Sequence, residues 1–369
     1  MTKKTYVTRP FLPPIQEYTE LLEEIWNSKI LTNEGRFCHL FEKKLREHLD
    51  VDNVSIVNSA TSGLMIALKS LNLKGEIITT PFSFIATAQV IDWNGLKPVF
   101  VDVDKEIGNL DPSEIESAVN EKTCGILANH NYGIPSNDTM IKDIASKYNL
   151  PLIYDAAPAL GVLNNGKSIL KLGDMSVISF HATKVMTTFE GGAIICSSKE
   201  QKDKVDKIKN FHFIGNSIVD GIGMNGKLSE PAAAMGVIQL KYLNENIKRR
   251  KLIFDRYSKG LSKIYNIRQI KLSKEIDYNY AYYPIFFREG FKRRELIFSI
   301  LEEKNIFCRR YWYPLITDSK PYKNYQKSNL KNAKELSESV LCLPIFYDLS
   351  INIVDEIINV IEENLNIQV

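Results

Sequence analysis

Residues 175–195, MSVISFHATKVMTTFEGGAII, carry a β-branched and apolar run from Met175 to Phe180. The run stops at a polar step, His181-Ala182-Thr183-Lys184, and apolar sequence resumes after Glu190-Gly191-Gly192. Such a run predicts a buried strand. A lysine just past a buried strand is unusual, because most lysines are solvated surface charges. Between two apolar runs an amine is partly desolvated, which favours its neutral form and so its attack on a carbonyl. Lys184 is therefore the first candidate for chemistry; the alternative is a surface charge with no chemical role.

Upstream of this stretch the chain alternates strand and helix patterns. Strands are expected at Val54–Val57, Glu76–Thr80, Pro98–Val103, Cys124–Ala128 and Leu152–Asp155. Helices are expected at Thr61–Leu71, Ile85–Trp93 and Thr139–Tyr148, and another begins at Asp111-Pro112 with a capping aspartate and a first-turn proline. This alternation predicts an α/β fold with a mainly parallel sheet covered on both faces. Ala193–Cys196 is expected to return as an antiparallel edge strand. Two helices, residues 15–28 and 37–49, precede the first strand and are separated by the polar loop Leu31-Thr32-Asn33-Glu34-Gly35.

Downstream, a charged helix near Lys199–Asn210 leads to a glycine-rich loop, 221–230. Helices at Pro231–Leu240 and Leu243–Lys263 follow. The remainder reads as a smaller α+β part with Tyr-rich strands at 278–287 and near 307–311, and helices at 292–304, 333–340 and 354–363. The division expected is residues 1–240 as a large domain and 241–369 as a smaller one.

In parallel α/β sheets, ligands sit beyond the carboxyl ends of the strands. Asn58-Ser59-Ala60-Thr61-Ser62-Gly63 joins a strand to a helix N-terminus, where free amides and the helix dipole favour an anion. An ordinary helix cap gives the same pattern. Asp155 ends an apolar strand, and a carboxylate there is costly to bury without a cation or several donors. It serves either as a cap or as the partner of a protonated ring nitrogen. Neither GxxxxGK[ST] nor a GxGxxG after a strand is present, which removes the usual signatures of nucleoside-triphosphate hydrolysis and dinucleotide binding.

Composition narrows the class further. The 369 residues are 44% hydrophobic and 25% charged, ordinary for a folded globular chain. A net charge of +3 is too small to argue for nucleic acid, and the lysine clusters at 202–209 and 248–251 read as solvated helix faces. Cys38, Cys124, Cys196, Cys308 and Cys342 are far apart and form no metal-ligand spacing. A reducing, cytoplasmic location is expected, with neither secretion nor membrane insertion, because no apolar run is long enough to span a bilayer.

The anion cradle, the strand-end aspartate and the lysine come in an order and spacing that resemble pyridoxal 5'-phosphate enzymes of fold type I, the aspartate-aminotransferase-like fold. More closely, the chain resembles the DegT/StrS family of nucleotide-sugar aminotransferases. The resemblance rests on Thr32-Asn-Glu-Gly35, Asn58-Ser-Ala-Thr-Ser-Gly-Leu64, Pro81-Phe-Ser-Phe-Ile-Ala-Thr87, Asp155-Ala-Ala157, Ser179-Phe-His-Ala-Thr-Lys184, Glu190-Gly-Gly192, Asn225-Gly-Lys-Leu-Ser-Glu230 and Arg310-Tyr-Trp-Tyr-Pro314. It implies that Lys184 carries the cofactor and moves the proton, that Asp155 pairs with the ring nitrogen, and that Phe84 stacks on the ring. Thr61, Ser62 and Ser179 would bind the phosphate, with Asn225 reaching it from the partner subunit of a homodimer. Thr32, Asn33, His181, Glu190, Arg310, Tyr311 and Tyr313 are the residues implied for the nucleotide sugar, and L-glutamate is the implied donor.

The chain departs from the family at Pro158, where members usually carry Gln or His against the cofactor's ring hydroxyl. Lysine at 184 resembles the transaminating members, since the dehydrating ones have histidine there. His-Ala-Thr-Lys with Glu-Gly-Gly is similar to members acting on a 4-keto sugar. The alternatives are amination at C3, a UDP-linked sugar, and a relative that binds cofactor without catalysis.

Overall fold

The computed structural model describes residues 4–215, 217–325 and 329–365. Two N-terminal helices, α1 (Ile15–Ser28) and α2 (Arg36–Leu49), precede a sheet of seven strands. In chain order these are β1 (Asn53–Val57), β2 (Glu76–Thr79), β3 (Lys97–Phe100), β4 (Thr123–Asn129), β5 (Leu152–Asp155), β6 (Met175–Ser179) and β7 (Gly192–Cys196). Their spatial order is β1-β7-β6-β5-β4-β2-β3. The pairs β6–β5, β5–β4, β4–β2 and β2–β3 are parallel, and β7 runs antiparallel to both of its neighbours. The α/β fold with a mainly parallel sheet is thus present.

The connecting helices are α3 (Ala60–Ser70), α4 (Ala86–Trp93), α5 (Pro112–Ala118), α6 (Asp138–Lys147) and α7 (Lys199–Lys209). Their starts follow from local chemistry. The hydroxyl of Ser59 accepts from the Ser62 N–H at 3.1 Å to cap α3, and Asp111 accepts from the Ser113 N–H at 2.9 Å to cap α5. Alternation along the strands divides the core in two. Leu127, Ile153, Val177 and Ile194 pack on one face with residues of α3, α4 and α7. Ile126, Ala128, Tyr154, Ile178 and Ala193 face the other way, into the larger cluster that takes in α2.

Two expectations need correction. The antiparallel strand lies inside the sheet rather than at its edge, because β1 docks along its far side. All five residues of β7 are buried, and none is charged or proline, so the strand has none of the usual edge protection. The two helices expected at 231–240 and 243–263 are one 32-residue helix, α8 (Glu230–Leu261). No proline or glycine interrupts it between Gly236 and Gly260, and the chain runs straight through 240–241.

Helix α8 organises both halves. Glu230 at its start is buried and accepts the N–H groups of Phe37 (2.8 Å) and Cys38 (3.0 Å), supplying the N-terminal cap that Gly35 cannot give α2. Gly236 lies flat against Phe41, whose ring a β-carbon would meet at 2.6 Å. Further along, Asn246 donates to the Val185 carbonyl at 2.7 Å, and the buried Arg250 donates to Asn246 (3.0 Å) and the Ile345 carbonyl (3.1 Å). That chain of bonds ties the loop after β6 to the C-terminal part.

The C-terminal part is built on an antiparallel sheet of β8 (Ile267–Gln269), β9 (Tyr283–Phe287) and β10 (Val340–Leu343), with α9 (Phe291–Glu303), α10 (Lys331–Ser339) and α11 (Ile351–Leu365). The strand expected from Tyr278 begins only at Tyr283, since Tyr280 has a positive φ of 55° and Asn279 bonds the carbonyls of Pro158 and Leu160. No helix among the described residues is long and apolar enough to cross a membrane.

Candidate active site

The carboxyl ends of β4, β5 and β6, the N-terminus of α3 and the loop after β6 surround a cavity of about 270 Å³, closed on its outer side by Tyr282, Tyr311 and Trp312. Lys184 and Asp155 both line it. Lys184 leaves β6 on the turn 181–184 and reaches inward, its Nζ donating to the Tyr282 hydroxyl at 3.2 Å. Asp155 is buried at the end of β5. It accepts from the Thr87 hydroxyl at 2.7 Å and from the Ala157 N–H at 3.2 Å. Burial pushes its pKa up, against the pull of those two hydrogen bonds and of the Lys184 charge. Among the described residues no cation reaches salt-bridge distance of this carboxylate, which therefore suits a cation from a ligand.

At the α3 end, Thr61 lines the cavity. Ser62 lies one step inside, its hydroxyl donating to Asn58 Oδ1 at 2.5 Å, and is not part of the lining. Gly192 lets β7 pass close beneath this turn, for a β-carbon there would meet the Ala60 nitrogen at 2.7 Å and the Ile178 oxygen at 2.8 Å. Ser179 closes the same corner from β6, with its hydroxyl accepting the His181 N–H at 3.2 Å. The result is a small helix-terminal concavity suited to an anion.

Phe84, an exposed aromatic on the opposite rim, faces the cavity 6.0 Å from the Trp312 ring. His181 and Glu190 sit together at the mouth, Nε2 to Oε1 at 3.5 Å, and His181 Nδ1 accepts from the Thr183 N–H. Tyr311 is positioned because its carbonyl accepts from the Tyr132 hydroxyl at 2.5 Å, and burial pushes its own phenol up to about 12.

The other residues singled out from sequence lie outside the lining. Thr32 and Asn33 are exposed in the loop before α2, and Asn225 is exposed beside Asn58, whose amide donates to its carbonyl at 3.0 Å. Arg310 pairs with Glu295 at 3.3 Å and covers the Phe298 ring, while Tyr313 lies under Arg294. Sequence reasoning missed Tyr282, gave Thr87 no role although it closes the Pro81–Thr87 stretch, and held Asn129 only as one of several polar residues at strand ends. Tyr282 comes from 98 residues beyond Lys184, Thr87 from inside a helix, and nothing local marks either one.

Pyridoxal 5'-phosphate, the cofactor implied by the resemblance, can be tested against this geometry. A buried carboxylate lacking a contacting cation suits a protonated ring nitrogen, the amine of Lys184 suits an aldehyde, and the α3 corner suits a phosphate. These three stand around one cavity, so the donor set fits the group.

Comparison with known proteins agrees with this fold. Residues 15–362 match the DegT/DnrJ/EryC1/StrS aminotransferase family. The chain is 45% identical over 365 residues to a Shigella dysenteriae protein named dTDP-4-amino-4,6-dideoxy-D-glucose transaminase, covering 98% of this chain and 100% of the relative. An Escherichia coli protein of the same name is 40% identical, with 97% and 98% covered. Among solved structures, DesI crystallised with its TDP-sugar product superposes with a TM-score of 0.94 at 28% identity, covering 99% of this chain and 94% of that one. The Helicobacter pylori aminotransferase PseC gives 0.92 at 27% identity, covering 98% of this chain and 99% of that one. With the match running through both halves and the site intact between them, the chain belongs to the DegT/DnrJ/EryC1/StrS aminotransferase family.

Proposed function

We propose that the protein transfers an amino group from L-glutamate to the C4 ketone of dTDP-4-keto-6-deoxy-D-glucose, giving dTDP-4-amino-4,6-dideoxy-D-glucose for surface-glycan (O-antigen) synthesis. The observation that carries the reading is the placing of Lys184 and the buried Asp155 on one cavity beside an anion-binding helix terminus. The substrate follows from the names of the two relatives above 40% and at 40% identity. When bound, pyridoxal phosphate supplies an electron-withdrawing ring that stabilises negative charge at the reacting carbon.

The chain's residues then have distinct tasks. Asp155 keeps the ring nitrogen protonated. Thr61 and Ser179 hold the phosphate, with Ser62 behind them bracing the turn through Asn58 and Ser59, joined by Asn225 of the partner subunit in a homodimer with shared active sites. Phe84 covers one ring face. Lys184 Nζ would carry the proton in each half-reaction, removing one from the donor's carbon in the first, in which the donor leaves as its keto acid, and delivering one to the sugar C4 in the second, with the Tyr282 hydroxyl fixing where the amine rests between transfers. His181 and Glu190 meet the sugar, while Thr32, Asn33, Arg310, Tyr311 and Tyr313 serve the nucleotide sugar from the rim or across the dimer. The same reading divides the chain into a cofactor-holding part, 1–240, and a smaller part, 241–369, with α8 continuous through the junction, and places the protein in the cytoplasm.

The test is an acceptor screen. Incubation with pyridoxal phosphate, glutamate and each candidate keto sugar, followed by product NMR, is expected to give the 4-amino product from dTDP-4-keto-6-deoxyglucose. A 3-amino product, or turnover only with a UDP-linked sugar, overturns the assignment.

A further inference from the structure

Asn129, the last residue of β4, has no role in the account so far. It is 3% exposed, lines the cavity, and its side-chain oxygen meets no hydrogen-bond partner among the described residues. An amide left unpaired in the interior costs stability, so its retention asks for a ligand.

Its placement is set by the sheet. Asn129 is the register partner of Asp155 on the neighbouring parallel strand. Strand alternation puts it with Leu127 on the same face as Ile153 and Asp155. Of the polar groups beside it, Asn131 and Tyr132 are committed elsewhere, while His130, whose Nε2 also meets no partner among the described residues, stacks on Tyr154, on the face opposite Asp155. The His130 ring stacks on Tyr154 at 4.2 Å and accepts from the Ser136 N–H, with its pKa lowered by burial to about 3. Asn131 donates to the Ile107 carbonyl at 2.7 Å and accepts from Trp312 at 2.9 Å, and Tyr132 donates to the Tyr311 carbonyl.

Ring chemistry then decides which atom Asn129 can meet. Around the pyridine of pyridoxal phosphate the order is nitrogen, methyl-bearing carbon, hydroxyl-bearing carbon, aldehyde-bearing carbon, phosphate-bearing carbon. With the nitrogen at Asp155, the aldehyde at Lys184 and the phosphate arm toward α3 and Ser179, the methyl and hydroxyl edge turns toward β4, because β4 flanks β5 on the side away from β6. Pro158, also in the lining, has no N–H and no polar side chain to offer that edge. Resting on the cofactor reading above, we infer that the Asn129 amide donates to the ring hydroxyl oxygen and is the positioning residue for that edge. As placed, the amide oxygen is the enclosed end and the nitrogen is not, so the N–H can face the cavity without a flip.

The test compares wild type with Asn129→Ala and Asn129→Leu, each stripped of cofactor and titrated with pyridoxal phosphate while the absorbance band of the lysine-bound form is followed. Loss of one hydrogen bond raises the dissociation constant roughly 3- to 10-fold. A donor to the ring oxyanion stabilises it most when no neighbouring proton does, so its removal raises the pH midpoint of the band, by about one unit for a tenfold effect. Adding Pro158→Gln to Asn129→Ala is expected to restore part of the affinity and lower the midpoint again. Thermal unfolding of the cofactor-free variants is expected at or above the wild-type temperature, because an unpaired buried amide has been removed. A merely structural role predicts the opposite, a lower unfolding temperature with an unmoved pH midpoint. Unchanged affinity and midpoint in both variants overturn the inference. Absence of the band in wild type refutes the cofactor reading instead.

Discussion

Replacing Asp155 by Asn should move the stability of the cofactor-free and cofactor-bound protein in different ways. In the free protein the carboxyl is buried and its pKa lies above the ordinary value, chiefly from loss of hydration. A group raised in the folded state contributes stability that is full below its unfolded pKa, about 4, and is lost as pH rises through the folded value. Ionising this buried carboxyl is unfavourable in the free protein, so Asp155→Asn should unfold at the same temperature or higher at neutral pH. With its oxygen toward the Ala157 N–H, the new amide can donate to the Thr87 hydroxyl, so neither contact need be lost. With pyridoxal phosphate the sign reverses, because the variant gives up a charge-assisted bond of about 1.5–3 kcal/mol, a 12- to 150-fold weaker site.

The consequence can be read by thermal unfolding. At a cofactor concentration about 100 times the wild-type dissociation constant, binding stabilises by about 2.7 kcal/mol. For 369 residues the unfolding entropy is about 0.8 kcal/mol per kelvin, so the midpoint rises by about 3.5 °C. If the variant binds about 30-fold more weakly, the same concentration gives about 0.9 kcal/mol, a rise near 1 °C. Scans between pH 4 and pH 8, with and without cofactor, check both halves. A free variant that unfolds several degrees lower, together with an undiminished cofactor shift, would refute the role given to Asp155.

Three further outcomes follow from the scaffold. Glu230→Ala leaves the buried N–H groups of Phe37 and Cys38 unpaired and should cost about 2–3 kcal/mol, near 3 °C in the unfolding midpoint. Lys209 is 2% exposed and joins Asp206 at 2.9 Å and Glu34 at 2.8 Å, so Lys209→Met should cost about 3 kcal/mol in chemical denaturation at pH 7. Burial tends to raise the Asp206 pKa but the Lys209 and Lys202 charges override it, and the net lowering means this stability is present above about pH 4 and lost as pH falls through the folded value. The Lys209→Met deficit should accordingly shrink in acid. Asn246→Leu removes the tether to the Val185 carbonyl, and steady-state kinetics should show kcat about tenfold lower with cofactor affinity within twofold of wild type.

Most of the site was legible because its residues end strands. Asp155, Ser179 and Lys184 interrupt apolar runs, and an interruption at the carboxyl end of a parallel strand is visible without coordinates. Thr61 was legible for a similar reason, lying in a hydroxyl-rich helix start. Strand order was not legible. GGAII predicts burial, yet nothing in those residues says that β1 will dock on the far side of β7. Nothing at Lys241-Tyr242 divides α8, because a helix between two packed parts keeps its buried face through such a step, as Leu243, Asn246 and Arg250 do. Tyr282 and Thr87 were invisible because their partners lie 98 and 68 residues away, and a hydroxyl has no sequence mark until the fold brings it to an amine or a carboxylate.

The central claim is that Lys184 holds the cofactor. Loading the protein with pyridoxal phosphate, reducing with borohydride and mapping the peptides by mass spectrometry tests it at one atom. The pyridoxyl adduct is expected on Lys184, discharged beforehand by glutamate and abolished in Lys184→Ala; an adduct on any other lysine, or one that persists undiminished in Lys184→Ala, would contradict it.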